Sequence, residues 1–291
     1  MKKDIILGHT FAFLSVLFWS SLYVSTKILL ESFTPLELLV LQFCMGYILL
    51  LIAKPKRLKL NSVKEEIYFA LAGLTGITIY NLFLNLAMSY SLASNVSVII
   101  AAAPLFTGIF TFILKIEKPY ISFFIGFIVS MIGITILSFN GQAELKLNPL
   151  GDILAVVSSI GWGLYSVIIK KITDMKYDII LYTRRVIFYG IIFMLPSFLF
   201  LDFNPNLMAF KNPVTLFNMI FVATFASGIC FIIWNKATDL IGAIKTNIYV
   251  YLTPVITIFV SIIVLKEHIT LIAVLGVALT LAGVIISELR K

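Results

Sequence analysis

Arg184 and Arg185 stand side by side inside the apolar stretch 178–201. A charge within a membrane-length apolar segment is costly, faces a polar interior or water, and marks a functional site by default. At a rise of about 1.5 Å per residue, both lie roughly 9–10 Å past the start of that segment. Neighbouring residues point about 100° apart on a helix, so the two need not share a fate. Arg185 is expected to face a cavity and Arg184 to snorkel toward headgroups. No acid lies at similar depth in the apolar segments, so Arg185 is read as unpaired and ready for a ligand carboxylate, which a guanidinium grips with a planar fork of donors. Aromatic residues could supply the walls. Trp19 and Tyr23, and again Trp162 and Tyr165, are three or four residues apart and so share a helix face. Tyr80, Trp234, Tyr249 and Tyr251 add further rings. The tryptophans are read as cavity-facing, and the tyrosines equally well as core or interfacial belt. Asn81, Asn85 and Asn235 are amides that must find partners, either in a neighbouring helix or in a substrate. The candidate substrate-binding set is Trp19, Tyr23, Tyr80, Asn81, Trp162, Tyr165, Arg185, Trp234 and Tyr249.

A second group of residues could move the chain rather than touch a ligand. Pro104 and Pro254 fall near the middle of apolar runs. Each removes a backbone donor and clashes with a carbonyl four residues earlier, those of Ile100 and Val250, so each is a bend and a candidate hinge. Glu117 and Glu267 sit at segment ends beside Lys115, Lys118 and Lys266, where they read as salt-bridged ends or as gates. Gly126, Ser130 and Gly133, with Gly276, Thr280 and Gly283, form small-residue stripes for close helix packing. His9 and His268 read as interface residues, and Cys44 and Cys230 as inert buried thiols. There is no HExxH pattern, and no acid sits in the middle of an apolar run. An intramembrane enzyme, a metal site and a cofactor are therefore not expected. A missing mid-span acid also leaves no titratable carboxyl within the apolar runs to couple to protons.

The elements that must hold these residues are membrane helices. Of 291 residues 60% are hydrophobic and 12% charged, against about 25% charged in an ordinary soluble domain. Continuous apolar runs rather than alternating polarity point to helices, not a barrel. Ten spans fit, near 5–27, 35–53, 66–90, 94–114, 119–139, 151–171, 178–201, 213–238, 244–265 and 269–288. The opening Met1-Lys2-Lys3 and its apolar run imitate a signal peptide, but no small-residue cleavage site follows, so the run is kept as a span. With the N-terminus inside, 16 Lys and Arg fall on the cytoplasmic side and three or four outside. Both termini are expected in the cytoplasm. The net charge of +8 is loop charge for topology rather than a nucleic-acid surface. The partners implied are a small-molecule substrate and the lipid bilayer, with oligomeric state left open.

The chain repeats itself. Shifted by 143 residues, Gly8 falls on Gly151, Trp19 on Trp162 and Lys27 on Lys170. Shifted by 150, Asn85 falls on Asn235, Pro104 on Pro254, Glu117 on Glu267, Gly126 on Gly276 and Gly133 on Gly283. Each half, 5–140 and 151–288, holds five helices. Five is odd, so the halves are inverted, an arrangement that suits alternating access around a midplane site.

These features resemble the drug/metabolite transporter superfamily, and within it the ten-helix EamA-like exporters. The resemblance rests on the Trp19 and Trp162 helices, the Pro104…Glu117 and Pro254…Glu267 pairs and the paired glycines. It implies an all-α integral membrane fold of ten helices in two inverted five-helix repeats, and export of amino acids or other small metabolites. The second helix of each half in that family often carries an Arg seven residues after its starting Pro or equivalent. Asp178 and Arg185 match; Pro35 is followed by Gln42, so the first half departs. An apolar or aromatic amino acid, or a similar carboxylate-bearing solute, is the favoured cargo. A lipid flippase and a nucleotide-sugar carrier are the rival readings within the superfamily; a channel would need a repeated filter sequence, and none is present.

Overall fold

The computed structural model describes residues 2–90, 96, 99–139, 148–256 and 271–289. Within them the chain is a bundle of ten helical segments. They are α1 (Lys2–Leu30), α2 (Pro35–Ala53), α3 (Val63–Tyr90), α4 (Ala103–Ile113), α5 (Ile121–Phe139), α6 (Pro149–Asp174), α7 (Ile179–Leu199) and α8 (Pro213–Ile241). Next come α9, which is Ala243–Ile248 followed by a 3₁₀ turn Tyr249–Tyr251 and helical residues 252–256, and α10 (Leu271–Glu288). Five of them, α2, α3, α6, α7 and α8, are long and apolar enough to cross a bilayer, and shorter apolar helices accompany them. Apolar side chains such as Ile52, Ile67, Phe217 and Ile285 face outward around the bundle, as lipid contact requires.

Helix starts are written locally. In lipid the free N–H groups of a first turn must be satisfied by the chain itself. Thr34 caps α2 in a reciprocal box with Glu37 (Glu37 N–H to Thr34 Oγ1, 3.3 Å; Thr34 N–H to Glu37 Oε2, 2.7 Å). Asn148, Asp178 and Asn212 cap α6, α7 and α8. Proline follows three of these four caps, at the first helical position where its missing N–H costs nothing.

Packing follows the repeat. α1 lies on α8 and its counterpart α6 lies on α3; α7 packs on α3 as α2 packs on α8. The halves thus interlock. α5 and α10 pair with each other through their small-residue stripes. Gly126 meets Gly283 and Ser287, Gly133 meets Gly276 and Thr280, and Ser130 Oγ donates to the Thr280 carbonyl at 3.4 Å. Rising numbers on α5 meet falling numbers on α10, so the pair is antiparallel. Under the 150-residue shift Gly126–Gly283 maps onto Gly133–Gly276, and Ser130–Thr280 maps onto itself.

Two features depart from simple helices. Gly73–Ile79 in α3 and Val222–Ile229 in α8 are π-helical. Tyr80 N–H bonds the Thr75 carbonyl, and Cys230 N–H bonds that of Phe225; the shift of 150 relates these two bonds. The backbone is also irregular just before each proline. Pro104 opens α4 directly after a turn at 101–102, and Pro254 follows the 3₁₀ turn of α9. The backbone loosens one turn before each ring, where the lost donor and the clash fall.

Candidate functional site

The π segments place their neighbours. A π turn holds one extra residue and releases carbonyls from the α pattern. Asn81 bonds two of them, its Nδ2 donating to the carbonyls of Gly76 (3.0 Å) and Ile77 (2.9 Å). In α8 the Ala226 carbonyl accepts Trp19 Nε1 at 3.4 Å. Small residues in both segments admit close partners: Gly76 lies under the Tyr165 ring, and Ser227 faces Gly46 of α2.

The result is an aromatic centre where α1, α3, α6 and α8 meet. The chain has three tryptophans, and all three touch. Trp19 and Trp162 have ring centroids 5.4 Å apart and edge to face, Trp19 and Trp234 5.2 Å, and Trp162 and Trp234 5.5 Å. Tyr80 lies 4.6 Å and Tyr165 5.3 Å from Trp162, and Phe231 closes the cluster against Trp19 and Tyr165. Polar groups thread through it. Trp162 Nε1 donates to Asn247 Oδ1 at 2.8 Å, and Tyr165 OH to Asn235 Oδ1 at 3.0 Å, whose Nδ2 donates to Thr183 Oγ1 at 3.0 Å. Trp234 is fully buried, yet its Nε1–H finds no partner among the described residues. An indole N–H can only donate, so the centre presents one free donor between aromatic walls.

The sequence-derived candidates divide. Trp19, Tyr80, Trp162, Tyr165 and Trp234 come together. Asn81 serves its own helix. Tyr249 packs against the same core, with its hydroxyl 2.9 Å from His9 Nδ1. Tyr23 lies on α1 with its side chain outside the described residues, and Glu267 lies outside them altogether. Asn235 and Asn85 are repeat mates with different partners, since Asn85 Nδ2 reaches the Pro35 carbonyl at 3.4 Å. Asn247 and Thr183 were not singled out from sequence; Asn247's polar type inside an apolar segment was the available signal.

The expectation of an unpaired Arg185 is corrected. Arg185 Nε donates to Glu66 Oε1 at 2.7 Å, and its Nη2 donates to Oε2; Tyr189 OH also donates to Glu66. Glu66 stands in the first turns of α3, and two long side chains close the offset in depth between them. Arg184, expected to snorkel, is buried and donates to the carbonyls of Lys54 and Lys56 (2.5 Å to the latter), tying down the end of α2. The free carbonyls of a helix C-terminus suit a cation. Nearby, Lys54 Nζ donates to Asp178 Oδ2 at 2.5 Å. Burial pushes the Asp178 carboxyl up, but the Lys54 contact and the amides of Leu181 and Ile180 prevail and hold it below the usual carboxylate range. The Glu117 carboxylate accepts from Ala243 N (2.6 Å) and Ile244 N (3.0 Å) at the start of α9, where Gly242 turns the chain at φ +88°.

A profile of the EamA-like transporter family matches residues 6–139 and again 149–289. The chain belongs to this family. An Archaeoglobus fulgidus protein described as an uncharacterized transporter is 25% identical over 97% of this chain and 98% of its own length. The Bacillus subtilis uncharacterized transporter YdfC is 23% identical over 99% and 92%. A solved crystal structure superposes with a TM-score of 0.79 at 16% identity, covering 99% of this chain and 97% of that one, and so shares the fold. As an EamA-like protein the chain is a multi-pass membrane protein of the transporter class, with ten helices in two repeats.

Proposed function

We propose that this protein exports an apolar or aromatic amino acid, or a similar carboxylate-bearing solute, by alternating access. The observation that carries the reading is the unpaired Trp234 N–H inside the tryptophan centre. Leaving a buried donor unmade costs about 1–3 kcal/mol, and a ligand carboxylate relieves that cost. The surrounding rings give an apolar side chain its walls. Residues 5–140 and 151–288 act as the two moving units, with Pro104 and Pro254 as hinges and Glu117 and Glu267 as gates. The Lys-rich end of the bundle, with both termini, lies in the cytoplasm. Transport is facilitated or exchange-driven, since no acid lines the tryptophan centre among the described residues.

Counterflow of radiolabelled L-phenylalanine and L-leucine in reconstituted vesicles tests this. Wild type is expected to exchange both, and Trp234→Phe to raise KM about tenfold, the loss of one charge-assisted hydrogen bond. Removing the unsatisfied donor offsets part of the cavity cost of the smaller ring in this buried centre, so the variant should stay folded with a modestly lower melting temperature. Exchange of lipids or nucleotide sugars but not amino acids would replace the substrate assignment.

A further inference from the structure

The Lys-rich end carries a second polar site. The end of α6, the start of α7 and the last turns of α8 enclose a cavity of about 420 Å³. On its wall Asp239 uses both carboxylate oxygens, accepting Lys176 Nζ at 2.9 Å on Oδ1 and Lys236 Nζ at 2.9 Å on Oδ2. Ile179 and Ile180 supply an apolar wall. Tyr182 also lines the cavity; its side chain is fully buried, and its hydroxyl has no partner among the described residues. Tyr182 also belongs to the same buried core as Tyr165, Trp162 and Trp234, so one side chain touches both the cavity and the core that holds the aromatic centre.

Two ammonium groups, an acid between them, an apolar wall and an unused buried hydroxyl match a zwitterion with an apolar side chain. We infer that this cavity is a docking vestibule where a zwitterionic amino acid binds before it reaches the tryptophan centre, an inference that rests on the proposed function. The ligand carboxylate takes Lys176 from Asp239. The freed Asp239 oxygen accepts the ligand ammonium, while Lys236 keeps the other. Tyr182 OH bonds the ligand carboxylate at the floor. The exchange is cheap because the Lys176 side chain is 72% exposed, and such solvated ion pairs contribute little on their own.

The test uses radiolabelled L-phenylalanine with the full-length protein in vesicles of both orientations. Lys176→Gln and Tyr182→Phe should raise KM about threefold to fivefold from the Lys-rich face and leave KM from the opposite face unchanged, the effect of losing one partly solvated contact. Equal shifts on both faces, or none, overturn the vestibule. A second measurement does not depend on transport. Ile180→Cys is labelled with a membrane-impermeant maleimide, with and without L-phenylalanine. The amino acid should slow labelling, and Asp239→Asn should abolish that protection; labelling indifferent to L-phenylalanine overturns the inference. Wild type that carries no amino acid while Ile180→Cys is protected would sink the cargo assignment and leave the vestibule standing.

Discussion

Asp178 does two things at one point, capping α7 through Leu181 N–H at 3.2 Å and holding Lys54 at 2.5 Å. Its carboxyl is held below the usual range, so the sign of its linkage is fixed. A depressed folded-state value contributes stability that is fully present above the unfolded value, near pH 4, and is lost as pH falls through the folded one. Asp178→Asn should lower the melting temperature at neutral pH and narrow the gap to wild type below about pH 4, read from melting curves across pH; a constant gap at all pH values would refute the linkage. Arg185 and Glu66 form a bidentate pair whose side chains are 31% and 24% exposed. Partial solvation limits such a pair to about 1 kcal/mol. A double-mutant cycle of Arg185→Ala and Glu66→Gln should return that coupling in stability, with the KM for substrate unmoved by either change. A KM that rises only in the Arg185 variants would restore the cavity role read from sequence. The tryptophan centre was legible because Trp19 and Trp162 are scarce residues at a shared offset. The Glu66 partner was not, because a pairing across 119 residues of chain has no local signature. Nor could sequence say that Trp234 would be left without an acceptor.

Close helix approach is the property most directly encoded at the element scale. The glycine stripes of α5 and α10 were readable because small residues recur at helical spacing, and those helices pack through them. The π segments escaped notice. A single extra residue leaves no period to detect, and Gly-Leu-Thr-Gly reads as an ordinary packing motif. Pro104 and Pro254 were placed mid-helix by the length of the apolar run; the structure restarts or loosens the helix there because the ring tolerates a first turn and not an interior one. Within the π region of α3, a Cβ on Gly73 would come within 2.6 Å of the Val186 carbonyl and 2.7 Å of Gly190 N. Backbone cannot yield as a flexible side-chain tip does. Gly73→Ala should therefore force α3 from α7 and cost about 1–3 kcal/mol. Gly228, the contrasting case in α8, would meet only the Ala223 carbonyl, at 3.7 Å, among the described residues. Gly228→Ala should be neutral, or stabilising by up to about 1 kcal/mol through reduced chain freedom. Thermal melting of the two variants in detergent separates them, and equal loss in both would show that the close approach does not govern stability here.

For the whole molecule, the repeat decides which contacts can change during transport. If the two access states exchange the conformations of the two halves, a contact that maps onto itself under the repeat is the same in both states. The α5–α10 seam is of this kind: Ser130 and Thr280 are repeat mates that touch each other, and Gly126 with Gly283 maps onto Gly276 with Gly133. This seam should stay closed throughout. The α1–α8 contact differs: it runs from the tryptophan centre to one end of the bundle, where Gly8 packs on Leu240 and Ile241, and its counterpart is the separate contact of α6 with α3. An end contact of this kind must loosen for a substrate to pass that end. In a background with Cys44 and Cys230 replaced by alanine, a disulfide between Ser130→Cys and Thr280→Cys should leave counterflow near the uncrosslinked rate. A disulfide between Gly8→Cys and Leu240→Cys should stop it until a reductant is added. If the seam crosslink also abolishes transport, the halves slide along α5 and α10, and rocking about a fixed seam is the wrong motion. If the α1–α8 crosslink is silent, the substrate reaches the tryptophan centre without parting these helices, and the route through that end must run elsewhere, with the α6–α7–α8 cavity the next place to block.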